Sequence, residues 1–284
     1  MTRKSDDELR AALVRSLQTD RLLGARAAPL SVPRRPGPAA VPAGRRPAGR
    51  APAAQARPAT LTAAQLPVEV GPILTPPPPL PPQELQARKD ALRVLDEQHV
   101  KGCTKCTLAQ TRTKTVFGQG SPVARIVFVG EAPGHEEDIQ GLAFVGRAGQ
   151  LLTKMIEAMG LTRDQVFICN LLKCRPPNNR DPLPDEISTC WPYLDQQLRI
   201  ILPQVIVALG KPAANTLLGT QESIGRLRGQ WHDYFIGGPL EGDLPIPLMP
   251  TYHPAYLLRN PADKAKAWSD LKQVMQKLGL KIPR

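Results

Sequence analysis

No phenylalanine, tryptophan or tyrosine occurs in the first 85 residues; all twelve aromatics of the chain lie from Phe117 onward. The same stretch holds half of the 32 prolines, between Pro29 and Pro82, in a Pro/Ala/Arg-rich run that ends in "PPPPLPP". Such a composition buries too little apolar surface to offset its ordering entropy, so residues 28–85 read as a disordered, partly polyproline II linker. An apolar run of 18 residues is also missing, which argues against a transmembrane helix. The N-terminus shows no signal-peptide core, and Asp6, Asp7 and Glu8 argue against a mitochondrial presequence. A cytoplasmic protein with no membrane partner is expected. With only five cysteines and no mark of secretion, a disulfide framework is not expected either.

What is present begins with charge. The chain carries a formal +12. Six of those charges fall on residues 1–85 and six on the remainder, 86–284, which is long enough for one core. A basic body with a basic arm suits a polyanionic partner such as nucleic acid. Within the arm, "DDELRAALVRSLQTDRLLG" has apolar residues at helical spacing, so residues 1–27 read as a short amphipathic helix.

From residue 86 onward, helix-like and strand-like segments alternate. "RIVFVG", "QVFICN", "QVIVALG" and "LPIPLMPTYHP" read as strands. "QELQARKDALRVLDEQHV", "RAGQLLTKMIEAMG", "DEISTCWPYLDQQLRIIL", "KPAANTLLG" and "ADKAKAWSDLKQVMQKLG" read as helices. This order predicts a three-layer α/β/α fold around a central, mainly parallel four-stranded sheet. Ligands of such sheets bind outside the carboxyl ends of the strands. Three of those ends carry polar turns: "VGEAPG", "CNLLKCRPPNN" and "TYHPAYLL". The first resembles a phosphate cradle, but its glycine spacing is wrong and Glu131, Glu136, Glu137 and Asp138 would repel phosphate.

Cys103 and Cys106 form a C-x-x-C loop before the first strand, Cys174 follows the second, and Cys190 lies in the next helix. Four thiolates brought together would bind zinc or an iron–sulfur cluster, and the spacing does not separate the two. Cys169 alternates with Phe167 in an apolar strand and reads as core.

Four segments in this order, "GEAPGHEEDIQGLAFVGRAGQLL", "VFICNLLKCRPPNNRDPLPDE", "QVIVALGKPAANTLLG" and "PTYHPAYLLRNP", resemble the family-4 uracil-DNA glycosylases, the iron–sulfur members of their superfamily. The likeness spans roughly Cys103 to Leu278 and leaves out the basic arm. It implies a [4Fe–4S] cluster on Cys103, Cys106, Cys174 and Cys190, with a structural role. It also implies a monofunctional, base-flipping enzyme that removes uracil from DNA in base excision repair, acting as a monomer. No lysine sits in a recognisable nucleophile motif, so lyase activity is not expected. The alternative is a catalytically silent member that binds nucleic acid or accompanies a polymerase. The presence together of Asn170, His253 and the acidic turn argues against it.

Carried over residue by residue, the resemblance places Gly130, Glu131, Ala132, Phe144, Asn170 and His253 around uracil. Phe144 would stack on the flipped base. The Asn170 carboxamide can meet uracil N3–H and O4 together, a pattern that cytosine does not present. His253 would donate to O2, where charge grows only as the glycosidic bond breaks. Glu131 and Glu137 jointly are the candidates for water activation and for stabilising a cation-like sugar, with the general base unassigned. Glu136 and Asp138 read as solvated acids. Tyr256, Leu257 and Leu258 resemble an insertion loop that wedges into DNA, one leucine competing with the core, and Arg259 would meet a phosphate. Lys173, Arg175, Arg180, Arg226 and Arg228 are candidate phosphate contacts at the rim. The partner of the N-terminal arm is not specified by the sequence.

Overall fold

A computed structural model describes residues 72–238 and 245–283. The expected helix at 1–27 and most of the 28–85 linker lie outside the described residues. The linker's last residues are described. Residues 72–81 run extended along the body, held through their carbonyls and one amide. Leu74 N donates to Lys277 O (2.6 Å), while Arg125 Nη2 donates to Leu74 O (3.0 Å) and Gln204 Nε2 to Thr75 O (2.7 Å). A helix then starts at Pro82, where proline needs no amide partner.

Six strands form one sheet: β1 Gln119–Gly120, β2 Ile126–Gly130, β3 Phe167–Asn170, β4 Val205–Leu209, β5 His232–Tyr234 and β6 Ile246–Thr251. Their order is β1-β3-β2-β4-β6-β5. The four expected strands are the parallel centre, β3-β2-β4-β6. The expectation of four strands is corrected to six, because β1 and β5 add antiparallel edges. Both are too short to show a period, and "HDY" has no apolar run.

Alternation along the strands builds two cores. Val127, Val129, Ile206 and Ala208 face helices Pro184–Ile201 and Lys211–Leu218, against Leu194, Leu198 and Ala214. Ile126, Phe128, Val205 and Val207 face helices Arg147–Ala158 and Lys264–Lys277, against Leu152, Ile156 and Leu271. Each Val, Leu, Ile or Phe among them contributes roughly 1.5–3 kcal/mol on full burial. Cys169 is buried in the first core, as its alternation implies. Among the described residues no helix is long and apolar enough to cross a membrane.

β2 is the first parallel strand; β3 joins one side of it and β4 the other. That reversal opens a crevice at the carboxyl ends, where the rule for such sheets places ligands.

Candidate active site and cysteine cage

A cavity of about 230 Å³ opens at this crevice. It is lined by Glu131, Ala132, Glu137, Phe144, Asn170 and His253, together with Asn179 and Arg180. The expected site residues thus converge from three strand ends. Its volume lies below the roughly 300–1,000 Å³ of drug-sized sites, so the space suits a small ligand group.

Gly130 ends β2 as the register partner of Asn170, which ends β3. A Cβ at Gly130 would collide with both Asn170 Oδ1 and the Phe144 ring. Glycine is what lets the Asn170 amide and the Phe144 ring approach each other here. Asn170 is 1% exposed, and its Oδ1 is buried without a hydrogen-bond partner among the described residues. A buried acceptor left open in this way carries a desolvation cost of about 1–3 kcal/mol until something donates to it.

Phe144 has φ 53°, a left-handed conformation that non-glycine residues avoid. Its loop is held there from both sides. Glu137 Oε1 accepts from Val145 N and Gly146 N (both 2.9 Å), and Arg163 Nη2 donates to Ala143 O (2.7 Å). The Phe144 ring belongs to the core beneath it and also faces the cavity, 5.7 Å from the His253 imidazole.

The two glutamates therefore differ. Glu137 spends one carboxylate oxygen on the Phe144 loop. Glu131 lines the cavity with no side-chain hydrogen bond among the described residues, and burial, with repulsion from Asp181, raises its pKa to about 7. Asp138 is not the solvated acid expected: it is buried and accepts from Thr113 N (2.8 Å). Glu136 is exposed.

His253 caps the helix Pro254–Arg259, its Nδ1 accepting from Ala255 N at 3.1 Å. Burial, then the Arg259 charge, pushes its pKa down to about 4, against the opposing pull of Glu137. The ring is neutral at pH 7, and with Nδ1 accepting, its proton belongs on Nε2. Gly210, φ +87°, lets the histidine approach the end of β4; a Cβ there would lie 2.9 Å from His253 Cβ. Behind it Thr251 Oγ1 donates to Asp270 Oδ2 (2.6 Å), and Arg228 pairs with both Asp270 oxygens.

The segment "PAYLLR" is a helix rather than a loop, because Pro254 occupies its first turn and His253 caps it. Leu257 is 1% exposed and packs inward, so the expected wedge role is corrected to a core role. Leu258, at 36%, points outward, and Arg259 is exposed. Tyr256 stacks on Tyr252 at 4.8 Å and donates to Asp263 Oδ2 (2.7 Å).

Among the rim cations, Lys173 is corrected outright: it is fully buried. Arg228 is committed to Asp270, and Arg180 forms a two-pronged pair with buried Glu186 (2.9 and 2.6 Å). Arg175 donates to Asn179 Oδ1 (2.8 Å), and Arg226 is exposed. Asn179, absent from the sequence-derived set, reaches the cavity from a turn in which it has φ 52°. The adjoining prolines and asparagines of "PPNNR" were its only signal.

Cys103, Cys106, Cys174 and Cys190 gather in one apolar cluster with Leu95, Val100, Leu108, Leu172 and Tyr193. Three sulfurs receive donors: Tyr193 Oη to Cys103 (3.2 Å), Arg112 Nη1 to Cys174 (3.2 Å) and Lys173 N to Cys190 (3.3 Å). Burial pushes the Cys174 thiol up to about 11, against the opposing hydrogen bond and charge of Arg112. Among the described residues no three His, Cys, Asp or Glu side chains take up a single-ion arrangement.

The family model of the uracil DNA glycosylase superfamily matches residues 117–272. The type-4 uracil-DNA glycosylase of Sulfurisphaera tokodaii is 46% identical over 192 residues, covering 66% of this chain and 84% of that protein. Its counterpart in Saccharolobus solfataricus is 46% identical over 187 residues, covering 64% and 84%. The type-4 enzyme of Thermotoga maritima is 45% identical over 183 residues, covering 64% and 91%.

Proposed function

The chain belongs to the uracil-DNA glycosylase superfamily, among its type-4 members, and from that premise we propose that it hydrolyses the N-glycosidic bond of uracil in DNA. The observation that carries the reading is the buried Asn170 Oδ1, without a partner among the described residues, in a cavity that Phe144 and His253 also line. A flipped uracil stacks on Phe144 and donates N3–H to Asn170 Oδ1, while the amide nitrogen donates to O4. Cytosine, with an acceptor at N3 and an amino group at C4, meets each of these groups with its like. His253 Nε2–H donates to O2, where negative charge collects as the C1′–N1 bond breaks. Glu131 takes a proton from the water that attacks C1′, and the departing uracil anion is protonated from solvent. A carboxyl whose pKa lies at about 7 is matched to that task. Glu137 positions Phe144 and adds negative charge near the cation-like sugar.

Gly130 and Ala132 complete the base-binding wall, Leu258 fills the gap left by the flipped nucleotide, and Tyr256 and Arg259 contact the strand. The protein acts as a monomer. The four cysteines hold a [4Fe–4S] cluster that crosslinks the loops beside the pocket. Four thiols gathered in one cluster of side chains suit a shared metal group, and the likeness to the type-4 enzymes favours iron–sulfur over zinc.

A uracil-containing oligonucleotide should yield free uracil and an alkali-labile abasic strand. DNA binding with no abasic product would refute the reading. Anaerobically purified protein should contain iron and sulfide and be brown; a colourless protein holding zinc would remove the cluster.

A further inference from the structure

Lys173 is 1% exposed, one of the largest fully buried side chains among the described residues. Its Nζ donates to the backbone carbonyl of Asn170 (2.8 Å) and to Gln197 Oε1 (2.7 Å). Gln197 is itself fully buried and passes its amide hydrogen to Phe117 O (2.8 Å). The backbone of the same lysine reaches the cage, its N–H donating to Cys190 Sγ (3.3 Å), and Cys174 is the next residue. A long apolar side chain would fill this space without the cost of burying an amine. Packing alone therefore does not account for lysine here.

The connection is short and stiff. Between Asn170 and Lys173, Leu171 N donates to Gly130 O and Leu172 N to Glu131 O (both 3.0 Å). Five consecutive residues, 170–174, thus join the base reader, the backbone of Glu131 and two walls of the cage. The side chain of Lys173 closes this segment into a loop by returning to the carbonyl of Asn170.

We propose that Lys173 is a positioning residue for uracil excision: it fixes the end of β3, and with it the Asn170 amide, from a frame anchored on the cysteine cage. The inference rests on the functional reading above. It predicts that the cage influences the reaction mechanically, through Asn170.

The test is a double-mutant cycle on the full chain, using single-turnover uracil excision by wild type, Lys173→Met, Asn170→Ala and the double variant. Lys173→Met should lower the rate roughly 10–100-fold, as loss of supporting residues around a site commonly does, with little change in DNA affinity. In the Asn170→Ala background the same substitution should cost nothing more, because its route to the reaction is gone. An unchanged rate, or equal losses in both backgrounds, overturns the proposal. Iron retention against a chelator gives a second readout. It should fall for Lys173→Met and stay at the wild-type level for Asn170→Ala; equal retention in the two would overturn the link to the cage. Should Lys173→Met fail to fold, Gln197→Leu removes one partner and must show the same non-additivity on a smaller loss. Wild-type protein that excises no uracil would refute the functional reading and this inference with it. Active wild type with additive losses refutes the inference alone.

Discussion

The pocket and the cage flank one five-residue segment, yet they treat polar atoms in opposite ways. In the pocket Asn170 Oδ1 has no partner, and the Glu131 carboxylate has no donor among the described residues. In the cage three of four sulfurs already receive a hydrogen bond. Unspent hydrogen-bonding capacity on a cavity wall leaves room for an incoming group to donate or accept. Saturated capacity marks a part that supports. The contrast also separates the two glutamates: Glu137 is spent on a loop, and Glu131 is free for a proton.

The contrast is broken most severely at Glu131. Glu131→Gln should reduce excision by roughly 10²–10⁴, the usual contribution of a general base. The pH profile tests the same assignment. Below a pKa of about 7 the carboxyl is protonated and cannot accept from water, so the rate should fall toward acid pH and level off above about 7. Asp181→Asn removes a like charge, which lowers that pKa and moves the acid limb to lower pH. An acid limb that stays in place would remove Glu131 as the titrating base.

Asn170→Asp should cost roughly 10²–10³ in excision, the scale of losing one aimed donor, because a carboxylate cannot donate to O4. Near-normal activity would refute its base-reading role. The two leucines form the next pair. Leu257→Ala should destabilise the fold by about 2–5 kcal/mol, read by denaturant melts. Leu258→Ala should stay within about 0.5 kcal/mol in stability while weakening excision from duplex more than from single strands. The smallest effect is expected of Glu137→Gln. The amide oxygen can still accept from Val145 and Gly146, so the rate should drop only a few-fold; a loss as deep as that of Glu131→Gln would erase the distinction between the glutamates.

The parallel centre of the sheet was legible because four apolar strands alternated with helices, and its carboxyl ends held the polar turns. Edge strands of two and three residues left no periodic trace. Leu257 and Leu258 were separable only by helix phase: consecutive helical residues point about 100° apart, and nothing in "YLLR" says which direction is inward. Lys173 was misplaced because lysine is almost always exposed, and its partners lie 3 and 24 positions away. Asp138 read as solvated because no letter of the acidic turn signals burial; only the folded loop shows that it and Glu137 are bound to different stretches of backbone.

The cap formed by His253 makes that residue hard to exchange. One ring nitrogen closes a helix, and the residue also lines the cavity. Asparagine has the short acceptor that a cap needs, but not the reach that the proposed contact with O2 asks of this residue. Glutamine has the reach, yet places no acceptor beside the backbone it extends from. Two errands at two distances on one rigid ring leave the genetic code no synonym for this position.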